Sequence, residues 1–122
     1  MDLNDLTFRD TYTHTIAHPV TKDPVPHKDG APQTVTLYGA ESKGYRNALA
    51  EVARLGIEDA DERLAAFLAL ITIAWHVYAG KSDAKLENAR QVYAAMPSQI
   101  RDQIFSAASE RANFFAGPST SS

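Results

Sequence analysis

Apolar positions recur along this chain with two different periods. Through the first forty residues they alternate with polar ones; beyond Gly39 they return every three to four. Tyr12–His18, rich in Thr and Ile, alternates loosely, and Gln33–Tyr38 (QTVTLY) alternates cleanly, so both are expected as strands. Between them Thr21–Pro32 (TKDPVPHKDGAP) sets three prolines and a glycine among lysines and aspartates, which reads as an exposed loop. The result is a long-looped β-hairpin over residues 12–38, an element that is marginal in water unless it packs on helices.

The helical period begins after Gly39. Ser42 is placed to cap a helix running over about residues 42–55, with Gly56 as its stop. Tyr45, Leu49, Val52 and Leu55 form its apolar stripe. Asp59, Asp61 and Glu62 then put negative charge where a helix N-terminus favours it. The pattern predicts a second helix over residues 60–79, apolar almost all round and therefore central. Leu64, Phe67, Leu68, Ile71, Trp75 and Tyr78 make its bulky side; Ala65, Ala69 and Thr72 make a thin side that lets another helix approach closely.

A third helix is expected over residues 86–96, burying Leu86, Ala89, Val92, Tyr93 and Met96. Pro97 suits the first turn of a fourth, over 97–115, because its missing N–H has no partner there anyway. That helix buries Ile100, Ile104, Ala107, Ala108 and Phe115. The polar ending Gly117–Ser122 builds no core and reads as a disordered tail over 117–122. The expected fold class is α+β, mainly α: one domain over residues 1–116, with the N-terminal hairpin packed on a bundle of about four helices.

Composition narrows the function. At 122 residues there is room for one core, and the apolar and charged fractions, 44% and 22%, are those of an ordinary globular protein. A net charge of −3 gives no basic footprint for nucleic acid. There is no cysteine, hence no disulfide framework, thiolate nucleophile or cysteine zinc site. The acidic N-terminus lacks an apolar signal region. The longest apolar run, Leu64–Ala79, is interrupted by Thr72 and His76 and falls short of the roughly 20 residues of a membrane span.

Candidate chemistry is sparse. His14 and His18 share a strand face but sit roughly 13 Å apart, too far for one metal ion. His27, with Asp23 and Asp29 in the Pro-rich loop, offers an adventitious cation contact at most, so no metal site is expected. His76 beside Trp75 reads as a hydrogen-bonded core or interface histidine. The acids at 58–62 are cap and dipole groups, with no partner carboxylate at a defined separation. No G-x-S-x-G elbow and no phosphate-cradling loop occurs. An enzyme is therefore not expected, nor a cofactor. Phe114 and Phe115 are adjacent, so on a helix they point about 100° apart. Either one caps the core while the other faces a partner, or both close the core.

Two patches carry a resemblance. Leu37–Arg46 (LYGAESKGYR) resembles the strand-to-helix junction near the start of tail assembly chaperones of long-tailed, siphovirus-type bacteriophages and prophages. Glu87-Asn-Ala, Tyr93, Pro97, Gln103-Ile and Arg111-Ala-Asn-Phe-Phe115 are similar to the closing helices of the same family. The resemblance covers about residues 35–115. It implies a non-enzymatic morphogenesis factor that coats the tape measure protein, keeps it soluble and helps recruit tail tube subunits. It further implies a homo-oligomer in the cytoplasm of the bacterial host, absent from the mature virion. No catalytic residues come with the family, so only an interaction surface is expected, on Tyr45, Ala65, Ala69, Phe114 and Phe115. The alternative is a structural head–tail connector or tail terminator subunit retained in the virion. A helical nucleic-acid regulator is disfavoured by the acidic balance.

Overall fold

The computed structural model describes residues 9–79 and 82–114, with the side chains of residues 111 and 112 left aside. Alternation at the N-terminus yields strands β1 (Thr11–Thr15) and β2 (Thr34–Tyr38), antiparallel, with Thr11 opposite Tyr38 and Thr15 opposite Thr34. β2 turns Val35 and Leu37 into the core and leaves Thr34, Thr36 and Tyr38 half-buried. The 16–33 segment does not hang free as a loop. Backbone bonds from Val25 N to Ile16 O and from Gln33 N to Val25 O, each 2.9 Å, fold it back on itself. His27 is 93% buried in consequence, its relative exposure being 7%.

Helix α1 (Lys43–Leu55) starts and stops where its capping residues dictate. The Ser42 hydroxyl accepts from Tyr45 N at 3.1 Å and donates to Gly39 O at 2.7 Å. Gly56 ends the helix at φ +63°, a left-handed conformation that suits glycine. Its buried face is Tyr45, Ala48 and Val52, so Leu49 and Leu55 of the expected stripe lie outside it, 52% and 42% exposed.

α2 (Ala60–Ile71) is capped by Asp59, whose carboxylate accepts from Asp61 N and Glu62 N. It then departs from the expected helix over 60–79. Thr72 is extended (φ −87°, ψ 120°) and Thr72–His76 form strand β3, paired antiparallel with β2. The sheet order is β1-β2-β3, so the hairpin gains a third strand instead of resting on helices alone. The cause lies in side-chain type. Thr72, Ile73, Trp75, Val77 and Tyr78 are β-branched or aromatic, and an apolar run of this kind satisfies either period. Ile73 is left over as a bulge, because Thr36 pairs with Ala74 and Leu37 with Thr72.

A short ladder of β4 (Tyr78–Ala79) and β5 (Ser82–Asp83) follows. Leu86–Asn88 is a 3-10 turn rather than the first turn of the third helix, and α3 covers only Ala89–Ala95. Pro97 stands just before α4 (Ser98–Ser109), where its ψ of 142° turns the chain between the two helices. α4 ends well before residue 115: Arg111–Phe114 make a separate 3-10 turn. Around α2, with α1 and α3 packed against it, the fully buried large side chains are Tyr93, Leu37, Leu68, Ile71, Ile104 and Val35. The architecture is α+β and mainly α. The expected tail at 117–122 and Phe115 lie outside the described residues.

Candidate functional site

An apolar groove of about 530 Å³ lies where the folded-back hairpin arm meets the α3–α4 corner. Ile16 and Val25 supply one wall, Val77 and Tyr78 the floor, and Val92, Met96 and Ile100 the other wall. Gln33 fixes this shape. Its side-chain oxygen accepts from Tyr78 N at 2.8 Å while its amide donates to Pro26 O at 3.2 Å, tying arm to floor. Among the described residues the lining carries no carboxylate, histidine or serine; its polar members are Gln33, Gln91 and the Tyr78 phenol. Such a surface binds apolar groups and has little with which to move a proton.

The expected interaction residues are dispersed. Tyr45 is 9% exposed and forms part of a smaller cleft of about 270 Å³ shared with Leu49, Leu64 and Phe105. Ala65 is fully buried at the base of a more polar cleft between α2 and α3, beside Glu62 and Arg90. Its small side chain lets α3 of the same chain approach closely, as the thin face suggested. Ala69 is half-buried against the core. Phe114 corrects the expectation of an available ring: it is 2% exposed, its edge toward Tyr12 at 5.7 Å, and closes the chain's own core. No single face gathers these positions, and the groove residues other than Tyr78, Val92, Met96 and Ile100 lay outside the helical stripes that periodicity singles out.

The histidines are also rearranged relative to their spacing. His14 Nε2 meets Gln103 Oε1 at 2.7 Å, and His18 Nδ1 accepts from Val20 N in a local turn. His27 and His76 come together instead, with ring centroids 4.0 Å apart and planes 20° from parallel. Asp29 bridges them, Oδ1 lying 3.3 Å from His27 Nδ1 and Oδ2 lying 3.0 Å from His76 Nε2. His27 Nε2 is hydrogen-bonded to Asp83 on β5. The Asp29 carboxyl is held below the usual carboxylate range, first by the Ala31 N–H it accepts and further by the two imidazoles. Asp23, grouped with His27 by proximity in sequence, is replaced in the cluster by His76 and Asp83. Sequence separations of 47 and 56 residues conceal this grouping, and only the β3 turn-back creates it.

Among the described residues no helix is long and apolar enough to cross a membrane. No protein-family model, curated protein or solved structure matches this chain.

Proposed function

We propose that this chain is a non-enzymatic binding protein of the tail-assembly-chaperone kind, which shields apolar helical segments of a tape measure protein. The supporting observation is the groove itself, apolar on both walls and open along one side. An amphipathic helix presents anchors at i, i+3, i+4 and i+7, and a groove of this sort accepts them with little demand on sequence. Met96 adds to that tolerance, because an unbranched thioether repacks around differently shaped partners. A long helical client offers many such segments. Self-association of the chaperone would multiply modest contacts along it through effective concentration while leaving each one releasable. Recruitment of tail tube subunits, action in the host cytoplasm and departure before the virion is complete belong to the same proposal.

Co-expression with the tape measure protein is the decisive experiment. The client should move from the pellet to the soluble fraction and co-purify with this chain. If its solubility is unchanged, the proposal fails. Abundant peptides of this chain in purified virions would favour the structural connector or terminator reading instead.

A further inference from the structure

We propose that His27, Asp29 and His76 form a site for a divalent transition-metal ion of the zinc class, with Asp83 as the carboxylate that orients His27. The three ligands come from the folded-back arm and from β3, and their ligand atoms all lie within 4.8 Å of one another. Two imidazoles and one carboxylate are a donor set that zinc-class ions favour, leaving a fourth position for water. Calcium and magnesium prefer all-oxygen shells and are selected against.

Three features set this cluster apart from a chance meeting of polar side chains. His27 is buried, so its ring orientation is imposed by the fold. Its Nε2 points at the Asp83 carboxylate, which requires the proton on Nε2 and leaves the Nδ1 lone pair directed at Asp29. That lone pair now accepts the Asp29 N–H at 3.1 Å, a weak bond that a cation replaces. A carboxylate behind a ligating histidine is the usual outer support of such sites. Finally, Asp29 already stands 3.3 Å from one imidazole nitrogen and 3.0 Å from the other. These contacts use the two different oxygens of Asp29. Taking one ligand atom from each residue, all three lie within 4.8 Å of one another, against the roughly 3.4 Å that tetrahedral bonds of about 2.0–2.1 Å set, so the ligands are gathered but must close in further.

One movement is required. The rings are close to parallel, so their in-plane lone pairs run side by side instead of converging. His76 is the ring free to turn, because its side chain is 43% exposed, whereas His27 is held by Asp83 and by the edge of Tyr78 at 5.1 Å. Binding therefore swings His76 out of the stack toward Asp29. The ion would clamp the 16–33 arm to β3 beside Tyr78, stiffening one side of the apolar groove. The metal site stands on its own geometry and does not depend on what the groove holds.

The test is titration of the chelator-treated full chain with zinc alone and with cobalt alone. Calorimetry should show one zinc per chain with micromolar or tighter affinity, and cobalt should give the intense visible bands of a tetrahedral site. His76→Gln and Asp29→Asn, both at exposed side chains, should each weaken zinc binding by more than tenfold with unchanged melting of the metal-free chain. Asp83→Asn should weaken it by about 10–100-fold, as loss of an outer carboxylate does. His18→Ala should change nothing. Millimolar-only binding, or His76→Gln binding zinc as tightly as the parent, overturns the site and leaves a hydrogen-bonded His–Asp–His cluster that merely pins the arm.

Discussion

The Tyr93 hydroxyl lies 2.6 Å from the Thr72 hydroxyl, at the residue where helix α2 becomes strand β3. Thr72 also donates to Leu68 O at 2.6 Å, the carbonyl that would otherwise have taken the next N–H of the helix. With the Thr72 proton committed to Leu68, Tyr93 is the donor between the two hydroxyls. The side chains thus satisfy the frayed end of α2 internally, and the chain can leave the helix inside the core without stranding a buried carbonyl.

Tyr93→Phe removes one buried hydrogen bond but leaves Thr72 its bond to Leu68. The expected loss is about 0.5–1.5 kcal/mol in urea unfolding. The variant should also alter the alkaline limb of stability. Burial pushes the Tyr93 phenol from 10.0 up to about 12, with the Thr72 bond acting in the other direction. Between those values the unfolded chain has released the proton that the folded chain still holds. The unfolded state therefore binds fewer protons and stability falls as pH rises through that window. Below pH 10 the contribution is complete. The parent should lose about 2 kcal/mol more than Tyr93→Phe between pH 10 and pH 12. Parallel melts of the two proteins over that range check this, and identical slopes would contradict it.

How far the chain discloses its fold depends on whether a signal is local. Ser42 and Gly56 mark the ends of α1 because capping and a left-handed stop need only neighbours. The hairpin strands follow from alternation across Tyr12–His18 and Gln33–Tyr38. The switch at Thr72 does not follow, because a largely apolar run satisfies a helix and a strand equally, and the decision is made by pairing with distant β2. Of the expected α1 stripe, Tyr45 and Val52 are buried while Leu49 and Leu55 are not, for a related reason: the face that α1 buries is set by where α2 packs. The His27–His76 cluster is a product of the same long-range pairing. Of the groove, periodicity singles out Tyr78 on the floor and the α3–α4 wall, but not the arm that completes it.

Phe114 gives a sharp test of core against surface. A Cβ placed on Gly39 would stand 2.6 Å from the Phe114 ring, so the ring lies directly on the backbone after β2. Phe114→Ala should destabilise the monomer by about 3–5 kcal/mol, as for other buried aromatics. Gly39→Ala should also be costly, since the ring has to move to admit a methyl group. Thermal melts of both variants report this directly. A Phe114→Ala protein that melts like the parent would return the ring to the surface.

Arg101 separates burial from ion pairing. Its side chain is 8% exposed, and its Nη1 donates to Ala94 O at 3.2 Å, over the C-terminal end of α3 where a cation complements the helix dipole. Asp61 is 3.7 Å away but largely exposed. Asp61→Asn should therefore cost less than about 1 kcal/mol. Arg101→Ala should cost about 1.5–3 kcal/mol, because a charged hydrogen bond to a helix end is lost. Equal effects in denaturant titrations would show that the ion pair, not the carbonyl contact, is what matters.

One residue lines the groove without supporting the core. Ala95 ends α3 with its side chain exposed, whereas Tyr93 two residues earlier is fully buried. Ala95→Glu sets a carboxylate on the apolar wall beside Met96. In the free protein that carboxylate reaches water, so folding should be affected by no more than about 0.5 kcal/mol. With an apolar helix seated in the groove it would be desolvated with no partner, which costs far more than the methyl contact removed. If the proposed function holds, client solubilisation should then fall sharply while the melting temperature of the free chain holds. Glu at Ala53, on the exposed face of α1, is the matched control and should leave solubilisation intact. If Ala95→Glu solubilises the client as well as the parent does, binding lies on another face, and the cleft between Tyr45 and Phe105 becomes the next surface to charge.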